Sequence, residues 1–304
     1  MRVVKNVLGI FLAVIAVILL VCLVLDKGYG LKHFSISAVA ENTAVNAENS
    51  LSGSMADSPD KASGLKCEAA IAVDMGSGQT LYAKNIHEKL YPASLTKLMT
   101  ALLLSEHDSK NDLLTYTEKD KSEPSNKMDF PVGSKLTADN AMKALLIFSA
   151  NDIATMVGEN VSGSVSDFAA LMNKKAKSLG MNDTHFTNAN GLPDSNHYTS
   201  AYDISILARQ AYKVSWIANT METPSALVKT NSGKSMTIYN TNQILGKNGC
   251  FAGKTGNTTA AGWCLAAFYH RDGHTILGVV MKSQNEDELY ADMGKLIALS
   301  EQKN

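Results

Sequence analysis

The chain opens on an uninterrupted apolar run, Val7 to Leu25, preceded by the basic residues Arg2 and Lys5. At helical rise its 19 residues nearly match the roughly 30 Å hydrocarbon core of a bilayer, so this segment is predicted to meet a membrane. The positive end, residues 1–6, stays inside and the body lies outside. An uncleaved anchor over residues 7–25 is expected. The small residues Ala38-Val39-Ala40 leave a cleaved, secreted form as the alternative, although the apolar run ends well upstream of them. Leu19-Leu20-Val21-Cys22 does not suit a lipoprotein signal, because Val21 is not small and apolar residues continue past Cys22. Glu41 to Gly64 is rich in Ser, Ala, Asn, Asp and Gly without apolar periodicity, and residues 26–65 are read as a flexible tether.

Beyond the tether the pattern is that of a folded body, residues 66–304. Cys67 to Asp74 and Gln79 to Lys84 are two strand-like runs joined by the glycine-bearing turn Met75-Gly76-Ser77-Gly78. From Ser94 to Glu106 the apolar residues Leu95, Leu98, Met99, Leu102 and Leu103 recur at helical spacing, and helices are also predicted over 138–160, 164–179 and 200–213. Gly249 to Lys254, Gly262 to Tyr269 and Thr275 to Met281 return to strand composition before a final helix, Asp287 to Leu299. Strands at both ends with helices between predict an α/β protein of the α+β type: one antiparallel sheet built from both ends of the body, flanked by helices, with an all-helical insert. No internal repeat is present.

Composition refines this only slightly. With 45% hydrophobic and 19% charged residues the chain is globular, and a net charge of -1 offers no field to attract nucleic acid. The cysteines Cys22, Cys67, Cys250 and Cys264 form no CxxC pair and no zinc-ligand spacing; Cys250 and Cys264 could pair as a disulfide in an exported body or serve equally well as small buried hydrophobes. His185 and His197 carry no metal-binding pattern and read as loop residues. Asp203, three residues after Ser200, fits a helix-capping arrangement, and the charged stretch Tyr116 to Lys127 reads as a solvated surface segment. No cofactor or metal is predicted.

The chemistry concentrates in three short motifs. Tyr91-Pro92-Ala93-Ser94-Leu95-Thr96-Lys97 puts a serine at a helix start and a lysine three residues on, hence on the same face. A serine hydroxyl needs a neighbour to take its proton, and a lysine can do so once burial or a second cation lowers its pKa. The helix N-terminus favours an oxyanion developing beside it. An isolated SxxK more often marks an N-cap and a solvated lysine. Here it is followed by Ser149-Ala150-Asn151, at the end of the apolar stretch Met142 to Phe148, and by Lys254-Thr255-Gly256, closing a strand. Singly these read as a helix terminator and a hairpin turn; in the order SxxK, SxN, KTG they are less easily accidental.

The three motifs resemble those of penicillin-binding proteins and class A β-lactamases. Phe186 to Leu192, Tyr198 to Asp203, and Gly253 to Gly256 leading to Ala261-Gly262-Trp263-Cys264-Leu265 are similar to the low-molecular-mass penicillin-binding proteins, serine-type D-alanyl-D-alanine carboxypeptidases of peptidase family S11, over roughly residues 66 to 297. The resemblance implies a β-lactamase/DD-peptidase-like fold. It further implies removal of the terminal D-alanine from peptidoglycan stem peptides through an acyl-enzyme on Ser94, with β-lactams as covalent inhibitors. Lys97 is then the base, Ser149 relays a proton to the leaving D-alanine, and Asn151 orients Lys97 and the substrate amide. Lys254 supplies positive potential, Thr255 binds the terminal carboxylate, Gly256 completes that motif, and the N–H groups of Ser94 and Asn257 form the oxyanion hole.

Two departures from the family pattern stand out. The sequence ends at Asn304, so no C-terminal β-rich second domain is expected, and Ser283 to Gly294 holds four acidic residues but no arginine or lysine to bind the substrate carboxylate. Three alternatives follow. A penicillin or peptidoglycan sensor with negligible turnover and a D,D-endopeptidase would share these residues. A class A β-lactamase would need a glutamate between SxN and KTG, where only Glu159 and Glu222 occur, neither in the expected context.

Overall fold

The computed structural model describes residues 64–302 apart from Ser125; the expected anchor (7–25) and all but the last two residues of the expected tether (26–65) lie outside the described residues. Among the described residues no helix is long and apolar enough to cross a membrane.

Strands β1 (Ala69–Asp74) and β2 (Thr80–Lys84) form the expected hairpin. They join β7 (Cys250–Thr258), β8 (Gly262–Arg271) and β9 (His274–Ser283) in a five-stranded antiparallel sheet of order β2-β1-β9-β8-β7. Both faces are covered, which the alternation of side chains makes possible. Ala69, Ile71, Val73, Ala266, Phe268, Leu277 and Val279 face a core shared with helices α1 (Lys97–His107) and α6 (Ala201–Tyr212). On the opposite face, Ala70, Ala72, Leu265, Ala267, Ile276 and Val280 pack on Leu289, Met293, Leu296 and Ile297 of α8 (Glu286–Glu301). Each buried Val, Leu, Ile, Met or Phe among them contributes roughly 1.5–3 kcal/mol by leaving water, and each Ala less. The predicted sheet from both ends of the body is therefore present.

The helical insert departs from its prediction in an instructive way. Instead of one helix over 138–160, a short helix α3 (Ala138–Lys143) widens into a π turn, Ala144–Phe148, and stops at Ser149, whose φ of 67° lies in the left-handed region. A new helix, α4 (Asn151–Ser162), then starts from Ala150. Asn126 holds this break: its Nδ2 donates to the carbonyls of Phe148 and Ser149 at 3.2 and 2.8 Å, and its own carbonyl accepts the Asn151 N–H at 2.8 Å. The apolar run reads as continuous because its breaker lies more than twenty residues upstream.

The stretch Tyr116 to Lys127 is solvated only in part: Glu118, Lys119, Lys121, Ser122, Pro124 and Asn126 are exposed, but the segment is anchored from within. It contains α2 (Glu118–Ser122), capped by Thr117 through a reciprocal box with Asp120, and both Tyr116 and Asp120 are fully buried. Asp152, buried in the first turn of α4, accepts from Tyr116 Oη, Met128 N and Asp129 N at 2.8–2.9 Å and thereby pins this segment to the insert. Asp152→Ala strands these three donors and is expected to lower stability by about 3 kcal/mol, read as a shift in the urea midpoint.

Small pairs β3 (Leu113–Thr115) with β4 (Lys135–Thr137) and β5 (Ser225–Lys229) with β6 (Ser235–Tyr239) flank the insert, along with α5 (Val165–Ser178) and α7 (Ser215–Met221). Cys67, Cys250 and Cys264 are free, buried thiols, so Cys250 and Cys264 serve as small hydrophobes.

Candidate active site

The site lies where β7, the start of α1 and the break before α4 converge. Ser94, half-buried, sits in a tight 3-10 turn, Ala93–Thr96, which replaces the first turn of the predicted helix and delivers its hydroxyl ahead of α1. Lys97 follows on the same face, fully buried. Its Nζ lies 2.8 Å from Ser94 Oγ, 2.8 Å from Asn151 Oδ1 and 2.7 Å from the carbonyl of Asn190.

The nature of these partners decides what the lysine can do. Asn151 Oδ1 and the Asn190 carbonyl can only accept, so a neutral amine gives them its two N–H bonds and turns its lone pair to Ser94 Oγ. Burial, reinforced by the charge of Lys254, holds the Lys97 pKa well below the ordinary lysine value, against the opposing pull of Glu123 and Asp152. A hydroxyl facing a neutral amine is an activated nucleophile.

Lys254 is the second buried cation. Its Nζ donates to Ser149 Oγ at 2.9 Å and to the Thr255 carbonyl at 2.8 Å, and burial pushes its pKa down to about 7. Ser149 reaches it from a left-handed backbone conformation that a non-glycine residue adopts at a cost of order 1–3 kcal/mol, an expense consistent with a functional position. Thr255 Oγ1 pairs with Thr241 Oγ1 at 2.6 Å. Gly256 lies flat against the start of the 3-10 turn: a Cβ there would sit 2.9 Å from Ser94 N, so only glycine lets β7 approach Ser94 this closely. Asn257, next along β7, is exposed. All eight residues expected from the motifs thus fall on these converging elements, in two bonded groups, Ser94-Lys97-Asn151 and Ser149-Lys254, with Thr255, Gly256 and Asn257 along the strand beside them.

The motif around Asn190 acquires a structural meaning. Thr100 Oγ1 donates to the Ala189 carbonyl at 2.6 Å and Lys97 to that of Asn190, so the segment is stapled along α1. His197, expected in a loop, is buried: its Nδ1 accepts the Thr187 N–H at 3.1 Å, leaving Nε2–H to donate to Thr96 Oγ1 at 2.9 Å. Burial drops its pKa to about 4, so it stays neutral and holds the 186–197 segment against the serine turn. Ser200 caps α6 by accepting the Asp203 N–H, while the Asp203 carboxylate binds Asp183 N and Thr184 Oγ1. Sequence reasoning missed Asn126, Glu123 and Thr241, and held Asn190 only as part of the Phe186 to Leu192 motif, without a contact of its own. Among the described residues no group of three or more His, Cys, Asp or Glu side chains is placed to hold a metal ion.

Comparison with known proteins places this geometry. The D-alanyl-D-alanine carboxypeptidase family model matches residues 53–285. The D-alanyl-D-alanine carboxypeptidase DacF of Bacillus subtilis is 32% identical over 241 residues, covering 76% of this chain and 61% of that protein. A D-alanyl-D-alanine carboxypeptidase of Streptomyces sp. strain K15 is 28% identical over 245 residues, covering 74% of this chain and 84% of its own length. The crystal structure of the Streptomyces K15 DD-transpeptidase superimposes with a TM-score of 0.74 at 25% identity, over 78% of this chain and 98% of that one. Ampicillin-bound penicillin-binding protein D2 of Listeria monocytogenes gives 0.69 at 26% identity over the same shares, 78% and 98%. The chain spans 53 to 62% of the length of the first three curated relatives. On the family match over most of its length, the chain belongs to the D-alanyl-D-alanine carboxypeptidases of peptidase family S11.

Proposed function

We infer that this protein is a serine-type D-alanyl-D-alanine carboxypeptidase that removes the terminal D-alanine from peptidoglycan stem peptides and is acylated by β-lactams. The observation that carries the reading is the placement of the buried Lys97 Nζ 2.8 Å from Ser94 Oγ, with the acceptors Asn151 Oδ1 and the Asn190 carbonyl at 2.8 and 2.7 Å to take the two N–H bonds of a neutral amine. Ser94 Oγ attacks the penultimate D-alanine carbonyl and passes its proton to Lys97 Nζ. The N–H groups of Ser94 and Asn257 hold the oxyanion. Ser149, held by Lys254, relays a proton to the leaving nitrogen, so the C–N bond breaks and D-alanine departs. Water then cleaves the ester, releasing the shortened peptide and restoring Ser94. Lys254 and Thr255 receive the terminal carboxylate, which supplies a cation at the site although Ser283 to Gly294 offers none. In this reading residues 7–25 anchor the protein, residues 26–65 act as the tether, and residues 66–304 form an extracytoplasmic catalytic body.

The two lysines set the pH dependence. Lys97 must be neutral to accept a proton, so the second-order acylation rate rises as pH climbs through its lowered pKa. Lys254 must be charged to attract the carboxylate, so the rate falls as pH passes about 7, its value in the free protein. The profile for a labelled penicillin is expected to be bell-shaped. The basic limb should move to higher pH once an anionic substrate is bound, because the carboxylate stabilises the ammonium. A rate independent of pH across both limbs would contradict these roles. Ser149→Ala removes the proton relay and is expected to slow acylation about 10²–10³-fold, measured by stopped-flow labelling. The solved relative named a DD-transpeptidase motivates one further reading, in which an amine replaces water as acceptor. Product formed with an added D-amino acid or amino-peptide would show it.

A further inference from the structure

Glu123 lies in the charged stretch that sequence pattern assigns to the surface, between the SxxK and SxN motifs, yet it is half-buried behind Lys97. Both its oxygens are engaged: Oε1 accepts from Thr155 Oγ1 of α4 at 2.7 Å and Oε2 from Asn190 Nδ2 at 3.1 Å. Asn190 is itself only 3% exposed. Its Oδ1 accepts the Leu192 N–H at 3.0 Å, which fixes the amide so that Nδ2 faces the glutamate. The carbonyl of the same residue accepts from Lys97 Nζ at 2.7 Å. A chain of polar contacts thus runs from Glu123 through Asn190 to the amine that faces Ser94.

We propose that Glu123 is a positioning residue that holds the Asn190 carbonyl against Lys97 and so aims the amine's lone pair at Ser94. The proposal rests on the carboxypeptidase reading of the site and adds to it a residue outside all three motifs. Glu123 also acts on Lys97 through charge. The ionisable groups that act on Lys97 are Lys254 of β7, Glu123 of the segment after α2, and Asp152 of α4. Lys254 and burial favour the neutral amine; Glu123 and Asp152 favour the ammonium. Because Asp152 is saturated by Tyr116, Met128, Asp129 and Ile153, Glu123 is the acid whose charge can be removed without dismantling the insert.

The test compares Glu123→Gln and Glu123→Asp with the unmodified chain, following acylation by a fluorescent penicillin across pH. Glutamine keeps the shape but can accept from only one of the two donors and carries no charge. Its plateau rate is expected to drop about tenfold, from a misaligned amine. Its acid limb is expected to move to lower pH, because loss of the negative charge makes Lys97 easier to deprotonate. Aspartate keeps the charge on a shorter arm, so its plateau falls while the limb stays near that of the unmodified chain. A structural role alone would lower the melting temperature and the plateau without displacing the limb. A Glu123→Gln limb that coincides with the unmodified one, or an unchanged plateau, overturns the proposal. If the unmodified chain is not acylated at all, the carboxypeptidase reading fails by itself, and the inference is then decided by NMR titration of the Lys97 ¹³Cε resonance. A lower midpoint in Glu123→Gln supports it and an unmoved midpoint overturns it.

Discussion

Ser94→Ala is expected to abolish covalent labelling by penicillin and to cut D-alanine release by at least about 10³-fold, with the melting temperature essentially unchanged. The nucleophile has no substitute, because the neighbouring hydroxyls are committed elsewhere: Ser149 to Lys254, Thr96 to His197 and Thr255 to Thr241. The fold should tolerate the change because Ser94 is only half-buried and its hydroxyl makes one interaction, with Lys97. Removing it leaves Lys97 its two amide acceptors, and a site built for reactivity often becomes slightly more stable when its reactive group is deleted. Retained labelling in this variant would remove Ser94 from the mechanism.

The second large effect is structural in origin. Gly191 has a φ of +89°, and a Cβ placed on it would lie 1.8 Å from the carbonyl oxygen of Ala93 and 2.9 Å from Thr96 Oγ1. An ordinary van der Waals separation is roughly 3.5 Å or more, so backbone must move. Ala93 itself has a φ of 48°, so the serine turn is already wound into a conformation that tolerates little further displacement. Gly191→Ala is therefore expected to cost about 3–5 kcal/mol in urea unfolding and to slow acylation more than about 10²-fold by tilting the turn that carries Ser94. Both readouts should fall together. A variant with normal stability and normal acylation would show that the segment after Asn190 does not brace the nucleophile.

Much of this architecture is legible in the sequence, and the reasons are local. Ser94 and Lys97 are three apart on one helical face, so their meeting follows from helix geometry alone. The β1–β2 hairpin is announced by its glycine turn, and β7 to β9 by runs of small and β-branched residues. What sequence could not disclose depends on partners far along the chain. The helix break at Ser149 is enforced by Asn126; the Ser149-Ala150-Asn151 motif reads as a helix terminator, but the unbroken apolar run Ala144–Phe148 gives no sign of the π turn that precedes it. Tyr116 and Asp120 belong to a charged stretch and are buried by contacts that periodicity cannot register. Glu123 looks like one surface acid among several until Thr155 and Asn190 are brought to it from 32 and 67 positions away. His197 offers no pattern at all; its role as a neutral brace appears only with Thr96 and Thr187 in place. Strands β5 and β6 escape notice because their outward residues are a mixture of polar and apolar, without clean alternation.

The Ser94-Lys97-Asn151 group, served by Ser149 and Lys254, is proposed to turn over a D-alanyl-D-alanine terminus. The most direct measurement is D-alanine release from a soluble pentapeptide stem ending in D-Ala-D-Ala, with purified protein and its Ser94→Ala variant side by side. Release by the unmodified protein, none by the variant, and suppression of release by penicillin at the concentrations that label Ser94 are expected. Folded, penicillin-labelled protein that releases no D-alanine would contradict the proposed turnover and would leave a sensor or a cross-link endopeptidase built on the same residues.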